Sequence, residues 1–159
     1  MDFRLVALPP FQAATSGVDR KFDMSETGVL GRFDRYFSAM TPPPRDSFMP
    51  RDFLFYDEEQ QGMVWWWALC DGMNAGDNDV VDFDGGYYLT YVYRDGDEQE
   101  SDRLYREALD AVAKSGVLEL DIRPNHYPMG HIITPPDLIK AQGWAQMEAF
   151  IPVRLKRAN

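Results

Sequence analysis

Glu148 lies in the run Ala145-Gln146-Met147-Glu148-Ala149-Phe150-Ile151, a single carboxylate in an otherwise nearly apolar stretch. Side chains alternate between faces in a strand. If Met147, Ala149 and Ile151 pack under helices, Gln146, Glu148 and Phe150 take the opposite face. A carboxylate partly withdrawn from water on an aromatic face seeks a cation, a hydrogen-bond donor or a proton. Open to water, it would be an ordinary surface residue.

Trp65-Trp66-Trp67 is the most unusual local feature. In a strand Trp65 and Trp67 share one face and Trp66 takes the other, so at least one indole is core. We assign Trp65 and Trp67 to the face away from the helices. Flat π surfaces there can stack aromatic ligands or hold a cation, at roughly 0.5–2 kcal/mol per contact. After Gly85-Gly86, Tyr87, Tyr91 and Tyr93 share one face and Tyr88 the other. Either Tyr91 or Tyr88 reaches the binding face, and Tyr91 is the one chosen.

Other reactive residue types lead to simpler readings. His126 and His131 are five apart, which sets two ligands side by side on neither a helix nor a strand, and no Cys or acidic cluster completes a zinc pattern. No metal or cofactor is expected. His131 lines the binding face or is a structural histidine. Cys70 is a lone cysteine at a strand end with no neighbouring base to activate it. Gly85-Gly86 opens a strand and lacks the spacing of a phosphate loop.

These residues need elements to position them. Leu30, Phe33, Phe37 and Met40 recur at helical spacing and predict a helix over 26–40, ended by Thr41-Pro42-Pro43-Pro44. Leu104, Ala108, Ala111 and Val112 predict another over 98–115, with Asp97 and Glu100 as a capping box and Gly116 as terminator. Strand signals occupy 3–8, 12–18, 53–56, 63–69, 87–93, 131–133 and 146–155. If the first two segments are one broken strand, the order is βαββ twice. That makes a single domain over 1–159 with pseudo-repeat halves near 1–76 and 80–159.

The chain has 159 residues, 45% of them apolar and 14% aromatic, with 26 acidic against 16 basic side chains and a net charge of −10. This is the composition of a folded protein and disfavours direct nucleic-acid contact, which relies on Lys and Arg. A charged partner is expected to be cationic. The start Met1-Asp2-Phe3-Arg4 lacks a signal peptide's basic flank and apolar run, and no stretch approaches the roughly 18 apolar residues of a membrane span. With one cysteine, a cytoplasmic setting is expected.

The sequence resembles the GyrI-like small-molecule-binding domain, the effector-binding module of several AraC- and MerR-type bacterial regulators. The second half carries the likeness in Phe83-Asp84-Gly85-Gly86-Tyr87-Tyr88-Leu89-Thr90-Tyr91, in Ile133-Thr134-Pro135 and in Glu148-Ala149-Phe150-Ile151-Pro152-Val153-Arg154. The first half carries it in Leu8-Pro9-Pro10-Phe11-Gln12-Ala13-Ala14, Phe33-Asp34-Arg35-Tyr36-Phe37 and Phe55-Tyr56-Asp57. The resemblance implies an α+β fold: tandem βαββ modules forming a curved antiparallel sheet, two helices on one face and a ligand groove on the other. It also implies lipophilic, often cationic ligands held between aromatic rings and a buried glutamate near the start of the last strand, the position of Glu148. Two departures stand out. Met129-Gly130-His131 replaces a Glu-x-Tyr pair, and a frequently acidic position falls within Trp65-Trp66-Trp67.

The expected function is a stand-alone binding module for a small lipophilic, cationic or aromatic ligand, used in sensing or sequestration and acting on transcription only through a protein partner. The expected site comprises Glu148, Trp65, Trp67, Tyr91, Phe150 and His131. The resemblance also implies two alternatives: a hydrolase of cyclopropane-containing compounds with Glu148 as general base, or a gyrase-inhibitor-like interaction protein.

Overall fold

The computed structural model describes residues 3–40, 51–69 and 72–158. In chain order its elements are β1 (Arg4–Leu8), β2 (Phe11–Thr15), α1 (Val29–Ser38), β3 (Asp52–Asp57), β4 (Gly62–Ala68), β5 (Asp79–Phe83) and β6 (Gly86–Arg94), followed by α2 (Glu98–Lys114), β7 (Leu118–Leu120), β8 (Met129–Ile132), α3 (Pro136–Gln142) and β9 (Gln146–Leu155). Every described strand pairing is antiparallel, and the class is α+β. The successions β2-α1-β3-β4 and β6-α2-β8-β9 are the two βαββ modules; β1, β5, β7 and α3 are added to them. Cys70 and the expected helix stop at Thr41-Pro42-Pro43-Pro44 lie outside the described residues.

The chain divides into two compact units, residues 10–84 and residues 1–9 with 85–159. In the first, the strand order is β3-β4-β2-β5. Its helix α1 buries Phe33 and Phe37, which pack with Ala14, Trp65 and Trp67 on one face of the sheet. Gly31 is required there, since a Cβ would fall 1.9 Å from the Ser25 carbonyl oxygen.

In the second unit β1, β6, β9 and β8 are successive neighbours, and β7 pairs the far end of β9. Helix α2 buries Leu104, Ala108 and Val112 against Leu89, Tyr91, Ala149, Ile151 and Val153. These are alternate residues of β6 and β9, so the remaining alternates face away from α2. The Asp97 carboxylate accepts from Glu100 N at 3.0 Å, giving half of the expected capping box. The other half is not made: Glu100 instead pairs with Arg103 at 2.6 Å, and this contact holds its carboxyl below the usual range.

The structure departs from the expected elements in several places, among them the short strand β7, which no strand signal marked. The segments before α1 are not one broken strand, because β1 pairs β6 while β2 pairs β4 and β5. Pro9-Pro10 lies between them and supplies no backbone N–H to continue a ladder. Strand β5 stands where no strand was expected, between the expected strands at 63–69 and 87–93. Helix α3 lies between the expected strands at 131–133 and 146–155, where no helix was expected: Pro136 suits the first helical position, and Gly143, at φ 81°, caps the end.

Candidate functional site

The alternation in β6, β8 and β9 puts Tyr88, Thr90, Val92, Met129, His131, Glu148 and Phe150 on the face away from α2. The expected placement of Glu148 and Phe150 relative to Met147, Ala149 and Ile151 is therefore the observed one. Tyr88 and Thr90 are fully buried, and Phe150 is nearly so. The Tyr88 and Phe150 rings meet edge to face, with centroids 6.2 Å apart. His131 is half-buried and lies directly across the ladder from Glu148.

Glu148 is 8% exposed. Its Oε1 accepts a 2.6 Å hydrogen bond from Arg4 Nη2, on β1. The two side chains differ sharply in environment, at 65% exposed for Arg4 and 10% for Glu148. Arg4 makes no other hydrogen bond or ion pair among the described residues, and neither does the second carboxylate oxygen, Oε2. The pair thus joins one end of a long exposed arm to a buried carboxylate, without the two-pronged geometry that guanidinium and carboxylate can adopt.

Thr90 adds a second polar group. It stands across from Arg4 on one side and from Phe150 on the other. Its Oγ1 is buried and finds no hydrogen-bond partner among the described residues. An unsatisfied hydroxyl costs about 1–3 kcal/mol, and native proteins rarely carry one without a use.

Three expected site residues fall on the wrong face. Trp65 and Trp67 pack beneath α1: Phe33 lies 6.0 Å from Trp65, and Phe37 stacks on Trp67 at 5.2 Å. Trp66 takes the opposite face, buried against Phe55 and Phe83. Tyr91 lies in the α2 core and meets Phe3 edge to face. Burial, reinforced by Tyr93, pushes its phenol well above the ordinary tyrosine range. Strand alternation separates Trp65 and Trp67 from Trp66, and Tyr91 from Tyr88, but the side covered by each helix is set by tertiary packing, on which strand periodicity is silent.

The face away from α2 includes Tyr88, Thr90 and Arg4, which were not among the expected site residues. Of the pair Tyr88 and Tyr91, it is Tyr88 that takes this face. Arg4 and Thr90 carry no local signal, since their proximity to Glu148 arises from the pairing of β1 with β6 and β6 with β9.

Gly85-Gly86 has a structural role. Gly85 is at φ 77° and Gly86 at φ 152°. His126 Nε2 lies 2.9 Å from Gly85 O, and the ring stacks parallel to Tyr88 with centroids 6.4 Å apart. Asp121, nearly buried, holds Arg123 Nε at 2.9 Å, and Arg123 also reaches Gly85 O. This knot fixes the start of β6 and so the position of Tyr88.

Recesses among the described residues lie elsewhere. One of about 800 Å3 runs along α2 past Asp97, Glu100, Arg103 and Asp110. Another, of about 480 Å3, is lined by Ser16, Arg32, Tyr36 and Asp77. No group of three or more His, Cys, Asp or Glu side chains among the described residues is placed to hold a metal. No described helix is long and apolar enough to cross a membrane.

No protein-family profile matches the sequence, and no curated protein matches it. Solved structures do match the fold. The protein SAV2435, solved bound to tetraphenylphosphonium, superposes at a TM-score of 0.58 with 12% identity, covering 97% of this chain and 94% of that one. A hydrolase from Listeria innocua superposes at 0.57 with 12% identity, over 96% and 91% of the two chains. A Staphylococcus aureus MU50 protein described as acting in bacterial transcription regulation superposes at 0.55 with 10% identity, over 97% and 99%. The chain has the fold of the GyrI-like small-molecule-binding domain.

Proposed function

We propose that residues 1–159 form a small-molecule-binding domain that takes a lipophilic cation, with Glu148 as the counter-charge. The reading rests on one observation above all. Glu148 is a buried carboxylate on an aromatic face; among the described residues one of its oxygens has no hydrogen-bond partner and the other is held by the end of an exposed arginine alone.

A buried carboxylate without a cation is strongly disfavoured, so this position selects for positive charge. Tyr88 and Phe150 would supply π surface for the apolar part of such a ligand, and the Thr90 hydroxyl a hydrogen-bonding group, once the ligand parts the groups that bury them. His131, across from Glu148, completes the proposed set. Tetraphenylphosphonium in SAV2435 supports this ligand class. The likeness to the S. aureus protein supports use in sensing, with any effect on transcription passing through a partner.

The alternative hydrolytic reading draws support from the L. innocua neighbour. The contacts of Glu148 favour it less, because the hydrogen-bonding partner of its carboxylate is a guanidinium, which neither gives nor takes a proton in proteins. The test is calorimetric titration with tetraphenylphosphonium. Wild type is expected to bind and Glu148→Gln to bind at least about tenfold more weakly, a loss of about 1.4 kcal/mol. Equal affinity in the two proteins would remove Glu148 from the function.

A further inference from the structure

We propose that Arg4 is an internal competitor for the cation position at Glu148, so that a cationic ligand binds by exchange with its guanidinium. The inference rests on the ligand class proposed above and identifies a residue that sets affinity and charge selectivity.

Glu148 and Arg4 have unequal needs. The carboxylate is buried, and leaving it bare is costly. The guanidinium is 65% exposed and, among the described residues, makes one polar contact, at 2.6 Å, through one nitrogen. Released from Glu148, it passes into water and regains side-chain freedom, so its departure is cheap once another cation takes its place. Arg4 also lies in register with Thr90, whose unsatisfied hydroxyl belongs to the same face. A cation replacing the guanidinium would therefore reach a site that already holds a counter-charge, aromatic rings and an unused polar group. A neutral ligand gains nothing from the carboxylate and cannot compensate it for losing Arg4, so the exchange discriminates by charge.

For a cation that takes the guanidinium's place, the apparent affinity is the intrinsic one multiplied by the fraction of molecules in which that place is free. With the guanidinium in place about nine-tenths of the time, removing it tightens cation binding about tenfold.

The experiment titrates wild type, Arg4→Met, Glu148→Gln and the double variant with tetraphenylphosphonium, and repeats the series with neutral triphenylphosphine oxide. Arg4→Gln carries the same expectation should Arg4→Met fail to give a cooperative melt. The expected result is about tenfold tighter cation binding in the Arg4 variant, no such gain in the Glu148→Gln background, and unchanged affinity for the neutral probe. Equal or weaker cation binding in the Arg4 variant, with Glu148→Gln still impaired, would overturn the exchange and leave Glu148 as the counter-charge. Cation binding indifferent to Glu148, or absent from all four proteins, would overturn the functional reading and the exchange with it. A gain of equal size for the neutral probe would make Arg4 a steric obstacle and also overturn the exchange.

Discussion

A carboxylate between Met147 and Ala149 is set by strand alternation against the preference of its surroundings, and Arg4 supplies the charge that makes this tolerable. Tyr91 shows the opposite outcome, a polar aromatic taken wholly into the core beneath α2. Its neutral form is favoured in the folded state, and its folded pKa lies above the unfolded value of about 10. The resulting stability is present below pH ~10 and lost as pH rises further toward the folded value. Tyr91→Phe is therefore expected to flatten the loss of stability between about pH 10 and 12, measured by denaturant melts. A phenol exposed on a ligand face would give identical slopes for the two proteins. This residue was legible as half of a pair, Tyr88 or Tyr91, because alternation says they oppose each other and says nothing about which meets the helix.

At the scale of elements, the sequence was most informative where periodicity and capping agreed. Helix α2 runs over Glu98–Lys114, one residue short of the expected end, because Asp97 accepts from Glu100 N and Leu104, Ala108 and Val112 recur on one face. Asp97→Ala is expected to destabilise the protein by about 1 kcal/mol, read from chemical denaturation, since it leaves a backbone donor of the first turn unsatisfied by protein. No change would mean that the cap contributes nothing beyond water. Helix α3 was illegible for the converse reason: it buries no residue, so no apolar stripe marks it, and Pro135-Pro136 reads as a break. Strand β5 escaped notice because Asp79-Val80-Val81-Asp82-Phe83 pairs with β2, a partner distant in sequence. The placement of Trp65 and Trp67 failed similarly, since α1 could have covered either side of β4.

For the molecule as a whole, the binding residues proposed here fall within the unit of residues 1–9 and 85–159, joined by the β1–β6–β9–β8 ladder. The first strand of the chain thus brings Arg4 to a glutamate 144 positions away, a connection invisible to any local reading. The net charge of −10 bears on solubility and encounter with cations, whereas the single buried carboxylate bears on recognition. Binding to the folded state must raise stability by mass action. At a free ligand concentration 100 times Kd the gain is about 2.7 kcal/mol, which for a chain of this size corresponds to a rise in Tm of about 5–10 °C.

The most direct measurement is the thermal melt of wild type and Glu148→Gln at one such concentration of tetraphenylphosphonium. The full rise is expected for wild type and about half of it or less for Glu148→Gln, as a tenfold weaker Kd requires. The same rise in both proteins, or none in wild type, would contradict Glu148 as the counter-charge.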